Sequence, residues 1–308
     1  MTGKEETMQV KSREFKALDA LYIAISVIPL LLAMVLKVLT APATEGISIT
    51  GARIYFTLKL PLQDLPITEA QVNSWLLVIS LLGLCLYLTH GLSVRAQTKR
   101  QLALEWAFDQ VKGLVSANMG ESFFSFIPFV GAILVLSMFS SLMSLLGLFP
   151  PTSDLNVVAG WAVLVFILIT YYKLKGGPLN YLKGFAEPIP LVTPFNIISE
   201  VATPVSMAFR HYGNVLSGVI VSALLAFALQ NLSKLVLGWL PGFLGEFPFL
   251  QIGIPALFSV YFDLFSGFLQ AYIFAVLTML YISEGYPRQA HEMRMKRKAD
   301  KKEKNKNV

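Results

Sequence analysis

Arg210 is the only permanently charged side chain between Glu200 and Lys234, in one of the most apolar stretches of the chain. Moving a guanidinium to the centre of a bilayer costs about 2.5–3.5 kcal/mol on insertion scales. The group cannot escape by neutralising, because arginine is not deprotonated in proteins. We therefore expect Arg210 to face protein or water and to have a charged partner, and we take it as the starting point for any function.

Asp263 and Gln270 are the notable polar groups of the last apolar segment, and they are seven residues apart. In an α-helix this spacing places both on one face, about 10 Å apart. If the segment enters the membrane from outside, Asp263 lies in the outer half, Gln270 near the middle and Glu284 at the cytoplasmic end. Because an amide does not ionise, Gln270 is expected to orient its neighbours by hydrogen bonds.

The preceding apolar segment runs the opposite way, with Glu200 in its cytoplasmic half and Asn214 one turn beyond Arg210. Side by side, the two segments offer an inner acid, a central cation and an outer acid, which is a pattern for ion exchange on both sides of a positive barrier. Structural interpretations stay open. Glu200 could pair near an interface, Asn214 could serve packing, and Asp263 could pair with Arg210, although their estimated depths differ. His211 is either a titratable switch or a neighbour that points elsewhere.

Composition indicates a membrane protein. Of 308 residues only 14% are charged, against about 25% in soluble domains. The single Cys85 excludes a disulfide framework, and no metal site is indicated. The chain contains no Gly-x-x-x-x-Gly-Lys-Ser/Thr loop, so we expect no nucleotide chemistry, no catalytic residue and no cofactor.

The sequence predicts an all-α membrane protein with about six membrane helices. The first four are expected near residues 18–36, 75–92, 123–148 and 157–172, and a polar amphipathic helix over 104–115 is expected to lie along the cytoplasmic surface. Segments 191–237 and 249–283 would measure about 69 and 52 Å as unbroken helices. The hydrocarbon core is about 30 Å thick, so both must tilt or break. Pro204 and Pro255 are candidate break points.

Four regions follow from this reading. They are an N-terminal segment with an extra membrane helix (1–38), an extracytoplasmic loop (39–73), a membrane core (74–285) and a basic cytoplasmic tail (286–308). The loop contains a possible hairpin over 47–62, with a turn at Thr50-Gly51. The tail has nine Lys or Arg against three Asp or Glu, which favours a solvated cytoplasmic tail, with contact to anionic lipid or to a cytoplasmic partner as the alternative. No nucleic-acid surface is expected.

Orientation comes from the basic flanks. Arg95, Lys99 and Arg100 follow the second helix, so that helix is expected to end in the cytoplasm. The N-terminus is then cytoplasmic as well, provided that the first helix is retained. Ala41-Pro42-Ala43 leaves open that the first helix is a cleaved signal peptide.

Several motifs now resemble a known family. Pro-Val-Ser-Met-Ala-Phe-Arg-His-Tyr-Gly-Asn at 204–214, followed by Ser217-Gly218, is similar to the Ser-Leu-x-x-Arg-Leu-Phe-Gly-Asn motif of subunit a of F-type ATP synthases. Residues 269–278 resemble that family's final-helix signature, and further matches lie at 150–156, 177–183 and 196–200. The resemblance covers about 97–283.

The resemblance implies a non-catalytic, ion-translocating stator subunit in the plasma membrane. Its last two long, tilted helices would form a hairpin against a rotating ring of c subunits, with Arg210 between two aqueous half-channels. Asp263 would exchange ions on the outer side, and Glu200, with possible help from Glu284, on the inner side. The other implied partners are b-type peripheral stalk subunits and, indirectly, the F1 sector.

The chain also departs from the family pattern. His211-Tyr212 replaces the common Leu-Phe pair. Val219 stands where some members have an acid, and Asp263 stands where those members have histidine, so the resemblance implies a swapped arrangement with one outer acid on the last helix.

Two other functions stay open from the residues. A secondary transporter could bind an anionic substrate at Arg210, or the chain could be a membrane scaffold that transports nothing. The coupling ion, H⁺ or Na⁺, is also open.

Overall fold

A computed structural model describes residues 3–40, 51–61, 63–94, 98–187, 189–239, 249–251, 253, 257–258 and 260–284. Within them, six helical stretches are long and apolar enough to cross a membrane, namely Phe15–Leu39, Glu69–Thr89, Phe123–Leu146, Leu155–Lys175, Pro190–Leu237 and Val260–Glu284. The predicted all-α membrane fold with about six helices is confirmed. The Ala41-Pro42-Ala43 motif, Pro255 and the 286–308 tail lie outside the described residues.

Helix α1 (Gly3–Leu39) packs along helix α2 (Glu69–Thr89). A Cβ added to Gly83 would lie 2.5 Å from the Ser26 nitrogen, so the two backbones approach closely there. At the far end of α2, His90 Nδ1 lies 2.9 Å from Asp19 Oδ1, and Arg100 Nη1 lies 3.3 Å from the same oxygen. These contacts attach the extra N-terminal helix to the rest of the chain.

The loop between α1 and α2 contains a short hairpin. Strands β1 (Ile54–Leu58) and β2 (Leu65–Thr68) pair antiparallel. The predicted hairpin over 47–62 starts in residues outside the described ranges, so its turn at Thr50-Gly51 stays a prediction. The observed hairpin lies further along the chain, which reverses between Leu58 and Leu65. Thr68 then starts α2 with a capping box, its hydroxyl accepting from Gln71 N.

Helix α3 (Lys99–Met119) begins at Thr98, whose hydroxyl accepts from Gln101 N. This helix contains the segment expected to be amphipathic, and it is not among the candidate membrane spans. A 3₁₀ turn (Glu121–Phe126) leads into α4 (Ile127–Leu142), and a second 3₁₀ turn (Met143–Leu146) ends at Gly147. The position of α3 on the cytoplasmic surface stays a prediction.

Helix α5 (Leu155–Gly176) begins at Asp154, which caps it by accepting from Asn156 N. The short α6 (Pro178–Phe185) follows, and then α7 (Thr193–Leu237). Helix α7 runs through Pro204 without a break, so a break there is not found. At 1.5 Å per residue it is about 68 Å long, more than twice the thickness of a hydrocarbon core.

The last apolar segment is divided. A 3₁₀ turn occupies Phe249–Gln251, and the final stretch begins as a π-helix (Val260–Ser266) that continues into α8 (Gly267–Glu284). The stretch from Val260 to Glu284 is about 37 Å long, an ordinary spanning length. Among the candidate membrane spans of the described chain, only the one that contains α7 is therefore greatly oversized.

The main core lies where α8 packs among α3, α4 and α5. Its fully buried side chains include Phe274 and Met279 from α8, Val115 from α3 and Val165 from α5. The span that contains α8 is thus the most deeply buried of the six candidate spans. Helix α7, by contrast, leaves one long side exposed, which decides which of its residues can meet another molecule.

Candidate functional site

Helix α7 and the π-helical stretch contact each other at two levels. Ser266 Oγ donates to Asn214 Oδ1 at 2.9 Å, and Asn214 Nδ2 donates to the Ser266 carbonyl at 3.4 Å. One turn further along α7, a Cβ on Gly218 would lie 3.3 Å from Phe262 Cβ. The partner numbers fall as the α7 numbers rise, so the two segments are antiparallel. Asn214 therefore joins the two helices, and Gly218 permits their close approach.

Arg210 lies on the exposed side of α7. None of the hydrogen bonds and ion pairs found within the described part of the chain involves its guanidinium, and no ion pair joins it to Asp263. The expected charged partner is therefore not provided by the residues that the structure describes. A permanent charge at this depth still needs one.

The helix face around Arg210 consists of small residues. Ala202, Ser206, Gly213 and Ser217 follow helical spacing from Arg210, and all are exposed. We call these five residues the Arg210 face. Small residues allow another helix to approach closely in a membrane, so this face can admit a helix directly against the arginine.

His211 points the opposite way. Its side chain is fully buried, with Nε2 3.4 Å from Ser137 Oγ on α4. The rings of Trp161 and Phe274 meet the imidazole edge to face at 6.1 and 5.6 Å. Adjacent side chains on a helix differ by about 100°, which lets His211 point inward while Arg210 lies on the exposed side. The sequence allows two interpretations of His211, a titratable switch or a neighbour that points elsewhere, and the observed position of His211 fits the second interpretation.

Asp263 lines a cavity of about 300 Å³. The opposite wall on α7 carries Val219 and Ser222, and the remaining wall includes Glu69, Arg53 and Lys37. We call this space the Asp263 cavity. It lies at the end of the bundle where α1 ends and α2 begins. The two positions that the family resemblance singled out, Val219 and Asp263, thus face one space.

Gln270 is buried, with 6% of its surface exposed. The α-helical spacing argument that put Gln270 and Asp263 on one face does not apply as stated, because Val260–Ser266 is π-helical and turns less per residue. A neighbouring glycine, Gly267, brings α8 against α4, since its added Cβ would lie 2.5 Å from Ser141 Cβ. Glu284 is exposed at the last position of α8.

Glu200 is already paired. Lys173 Nζ at the end of α5 donates to its two carboxylate oxygens at 2.7 and 2.6 Å, and the Tyr181 hydroxyl donates to Oε1 at 3.3 Å. Burial, and then the Glu200 charge, raise the pKa of the Tyr181 hydroxyl above its usual value. Glu200 is thus held at the end of the bundle opposite the Asp263 cavity.

Sequence reasoning missed four charged residues near these sites: Lys37, Arg53 and Glu69 at the Asp263 cavity, and Lys173 at Glu200. Glu69 had a usable signal, since it is an acid placed directly after the Thr68 cap of an apolar helix. Within the described ranges, no group of three or more His, Cys, Asp or Glu side chains could hold a metal ion.

Comparisons with known proteins agree with the motifs. A family model described as ATP synthase A chain matches residues 71–283. An ATP synthase subunit a from Legionella pneumophila (strain Philadelphia 1) is 29% identical over 232 residues, which cover 75% of this chain and 90% of that protein. Subunit a 1 from Crocosphaera subtropica is 31% identical over 220 residues, covering 70% and 85%. Subunit a from Desulforamulus reducens is 30% identical over 219 residues, covering 70% and 78%.

The match spans the α7–α8 pair, with its outward arginine, and both ends of the bundle where the acids lie. Helix α1 and the hairpin precede it. The chain belongs to the family of ATP synthase subunit a, the non-catalytic membrane stator subunit that takes part in ion transport for ATP synthesis.

Proposed function

We propose that this chain carries ions through two aqueous half-channels that end at a rotating ring of c subunits, with Arg210 between them. The single observation that carries the proposal is that Arg210 is exposed among small residues and has no described partner in its own chain. A carboxylate on a neighbouring ring helix would supply the missing negative charge.

The chemistry of Arg210 follows from its fixed charge. A ring carboxylate crosses lipid only while its ion is bound, because a bare charge in hydrocarbon is costly. Beside Arg210 the ionised carboxylate is favoured, so the bound ion is released there. The same guanidinium repels a cation that would pass straight from one half-channel to the other. Arg210 therefore both releases the ion from the ring carboxylate and prevents a direct leak of ions between the half-channels.

The Asp263 cavity is proposed as the outer half-channel. The basic flanks in the sequence favour a position outside the cell for the end of α1, the hairpin and the start of α2, and residues from these elements line the cavity. Asp263 would take up ions from the outside water and pass them to the ring. Asn214 and Ser266, one level deeper towards Arg210, hold the two walls together.

The inner half-channel is proposed near Glu200, Gln270 and Glu284. Lys173 follows an apolar helix whose basic end suits the cytoplasm, and its ion pair keeps Glu200 at that end of the bundle. The plasma membrane, a cytoplasmic N-terminus and the b-type stalk and F1 sector as partners belong to the same proposal. The coupling ion is H⁺ or Na⁺.

A secondary transporter that binds an anion at Arg210 is less well supported. Such a protein needs an enclosed pocket around the guanidinium. The Asp263 cavity is not lined by Arg210, and the arginine lies on an outer face.

Two variants with opposite signatures test the proposal. In the complete ATP synthase in vesicles, Arg210→Ala is expected to abolish coupled ATP synthesis yet leave or increase passive ion flow through the membrane sector. Asp263→Asn is expected to lower both by at least tenfold, since an amide cannot exchange an ion. Normal coupling in Arg210→Ala, or normal passive flow in Asp263→Asn, would contradict the role given to that residue.

A further inference from the structure

The Asp263 cavity is built partly by residues that precede the region matched by the family. Lys37 lies in the last turn of α1, and Arg53 lies just before β1. We propose that α1 is a working part of this inlet, in which Lys37 holds the rim and sets the charge of the wall. The inference rests on the proposed ion path through Asp263.

Lys37 reaches across the cavity to the end of α4. Its ammonium donates a hydrogen bond to the carbonyl of Gly147, the residue that ends the 3₁₀ turn after α4 with φ 70°. Two residues later, the Phe149 carbonyl accepts from Asn73 Nδ2 of α2 at 2.9 Å. Side chains from α1 and α2 therefore fix the same short stretch of backbone, and this stretch forms part of the cavity wall.

Arg53 makes a second connection around the cavity. Its Nη1 donates to the Thr40 carbonyl just after α1 at 3.2 Å, and its Nε lies 4.0 Å from a Glu69 carboxylate oxygen. The Glu69 side chain is 5% exposed, so this carboxylate faces the cavity wall rather than open water. The end of α1, the hairpin and the start of α2 are thus joined at one place.

The charges among the described residues of this wall balance. Lys37 and Arg53 are cations, Glu69 and Asp263 are carboxylates when ionised, and no other Asp, Glu, Lys, Arg or His lines the described cavity. In a space of about 300 Å³, every wall charge lies within about one Debye length, ~10 Å, of a passing ion. Without Lys37 the wall becomes net negative, and a negative cleft concentrates cations from the medium. Lys37 thus keeps the inlet from trapping cations that are not cargo.

The test measures the electrostatic potential inside the inlet. Ser222 lines the cavity, and Cys85 is the only cysteine of the chain, so Ser222→Cys with Cys85→Ala gives a single reporter thiol. In the assembled ATP synthase, the thiol is reacted from the outer side with two small methanethiosulfonates, one cationic and one anionic. Lys37→Met is expected to shift the ratio of the two rates towards the cationic reagent by about fivefold or more. Lys37→Arg is expected to keep it within about twofold.

Lys59 provides the matched control. It is an exposed lysine of the same loop that does not line the cavity, so Lys59→Met should leave the ratio unchanged. An equal shift in Lys59→Met, or no shift in Lys37→Met, overturns the inference while the inlet itself stands. If Lys37→Met does not assemble, Lys37→Gln is measured in its place, with the same expected shift.

Failure of the proposed function would give a different set of results. A reporter thiol that reacts with neither reagent from outside, together with normal passive ion flow in Asp263→Asn, would show that this cavity is no inlet. Suppose instead that the thiol reacts and that Asp263→Asn blocks passive ion flow, but the ratio of the two reagent rates does not change in Lys37→Met. Only the role of α1 would then be contradicted.

Discussion

Arg210 and Glu200 lie on the same helix, about 15 Å apart along its axis, but their surroundings differ. Glu200 accepts three hydrogen bonds from Lys173 and Tyr181. Arg210 has no such partner within the described chain and lies on an exposed face. A charge that is paired within the chain, such as Glu200, helps to hold the fold. A charge without such a partner in the described chain, such as Arg210, is available to another molecule.

The largest expected effect comes from one conservative exchange made in both regions. Arg210→Lys keeps a positive charge but loses the planar, multi-donor guanidinium, so coupled ATP synthesis should fall at least tenfold. Lys173→Arg keeps a cation beside Glu200 and should leave synthesis within about twofold. ATP synthesis driven by an imposed ion gradient measures both, and equal losses in the two variants would break the comparison.

Two glycines test the same contrast through packing. Gly267→Ala places a Cβ 2.5 Å from Ser141 Cβ, so the fold should lose about 1–3 kcal/mol. At Gly213 nothing in the described chain lies within 4 Å of an added Cβ, so Gly213→Ala should not destabilise the subunit. It should nonetheless lower coupled synthesis several-fold, because it adds bulk to the Arg210 face. Thermal unfolding of the purified complex and ATP synthesis are the two measurements.

A smaller effect is expected at the paired acid. Glu200→Gln leaves the Lys173 ammonium, 25% exposed, without its counter-charge, at a cost in stability of about 1–2 kcal/mol. The double variant Lys173→Met with Glu200→Gln should recover part of that loss in a double-mutant cycle. Thermal midpoints of the four proteins give the coupling energy. Additive losses would mean that the pair contributes nothing as a pair.

The smallest effect concerns alkaline pH. The pKa of Tyr181 is raised by burial and by Glu200, so its neutral hydroxyl donates to Glu200 below the unfolded value of about 10. That contribution is lost as pH rises through the higher folded value. The native protein should therefore lose a little stability in this alkaline range, and Tyr181→Phe should not show that loss. Identical alkaline profiles of the two proteins would contradict the contact.

Much of the fold could be predicted from the sequence, because apolar runs of spanning length have few alternatives. The stretch around Arg210 also carried enough information to indicate its family. Local geometry was harder. Thr50-Gly51 is a generic turn signal, and it did not indicate the observed hairpin, whose strands lie on either side of 59–64.

The candidate site was only partly predictable. Arg210, Asp263 and Glu200 stand out as charges in apolar surroundings. The partners Lys37, Arg53 and Lys173 lie far in sequence from the acids they approach, and only tertiary structure brings them together. The π-helical register at Asp263 is invisible to a periodicity argument that assumes 3.6 residues per turn.

The close contact of Gly218 with Phe262, and of Gly267 with Ser141, has a mechanical consequence. A helix packed this tightly at a glycine against its neighbour's side chain has little room to slide, because close-packed interiors compress poorly. A sideways force on α7 is therefore transmitted through the π-helical stretch to α8 and on to α4. If the proposed ring turns against α7, we expect this packing to make the helix stiff where the load is applied.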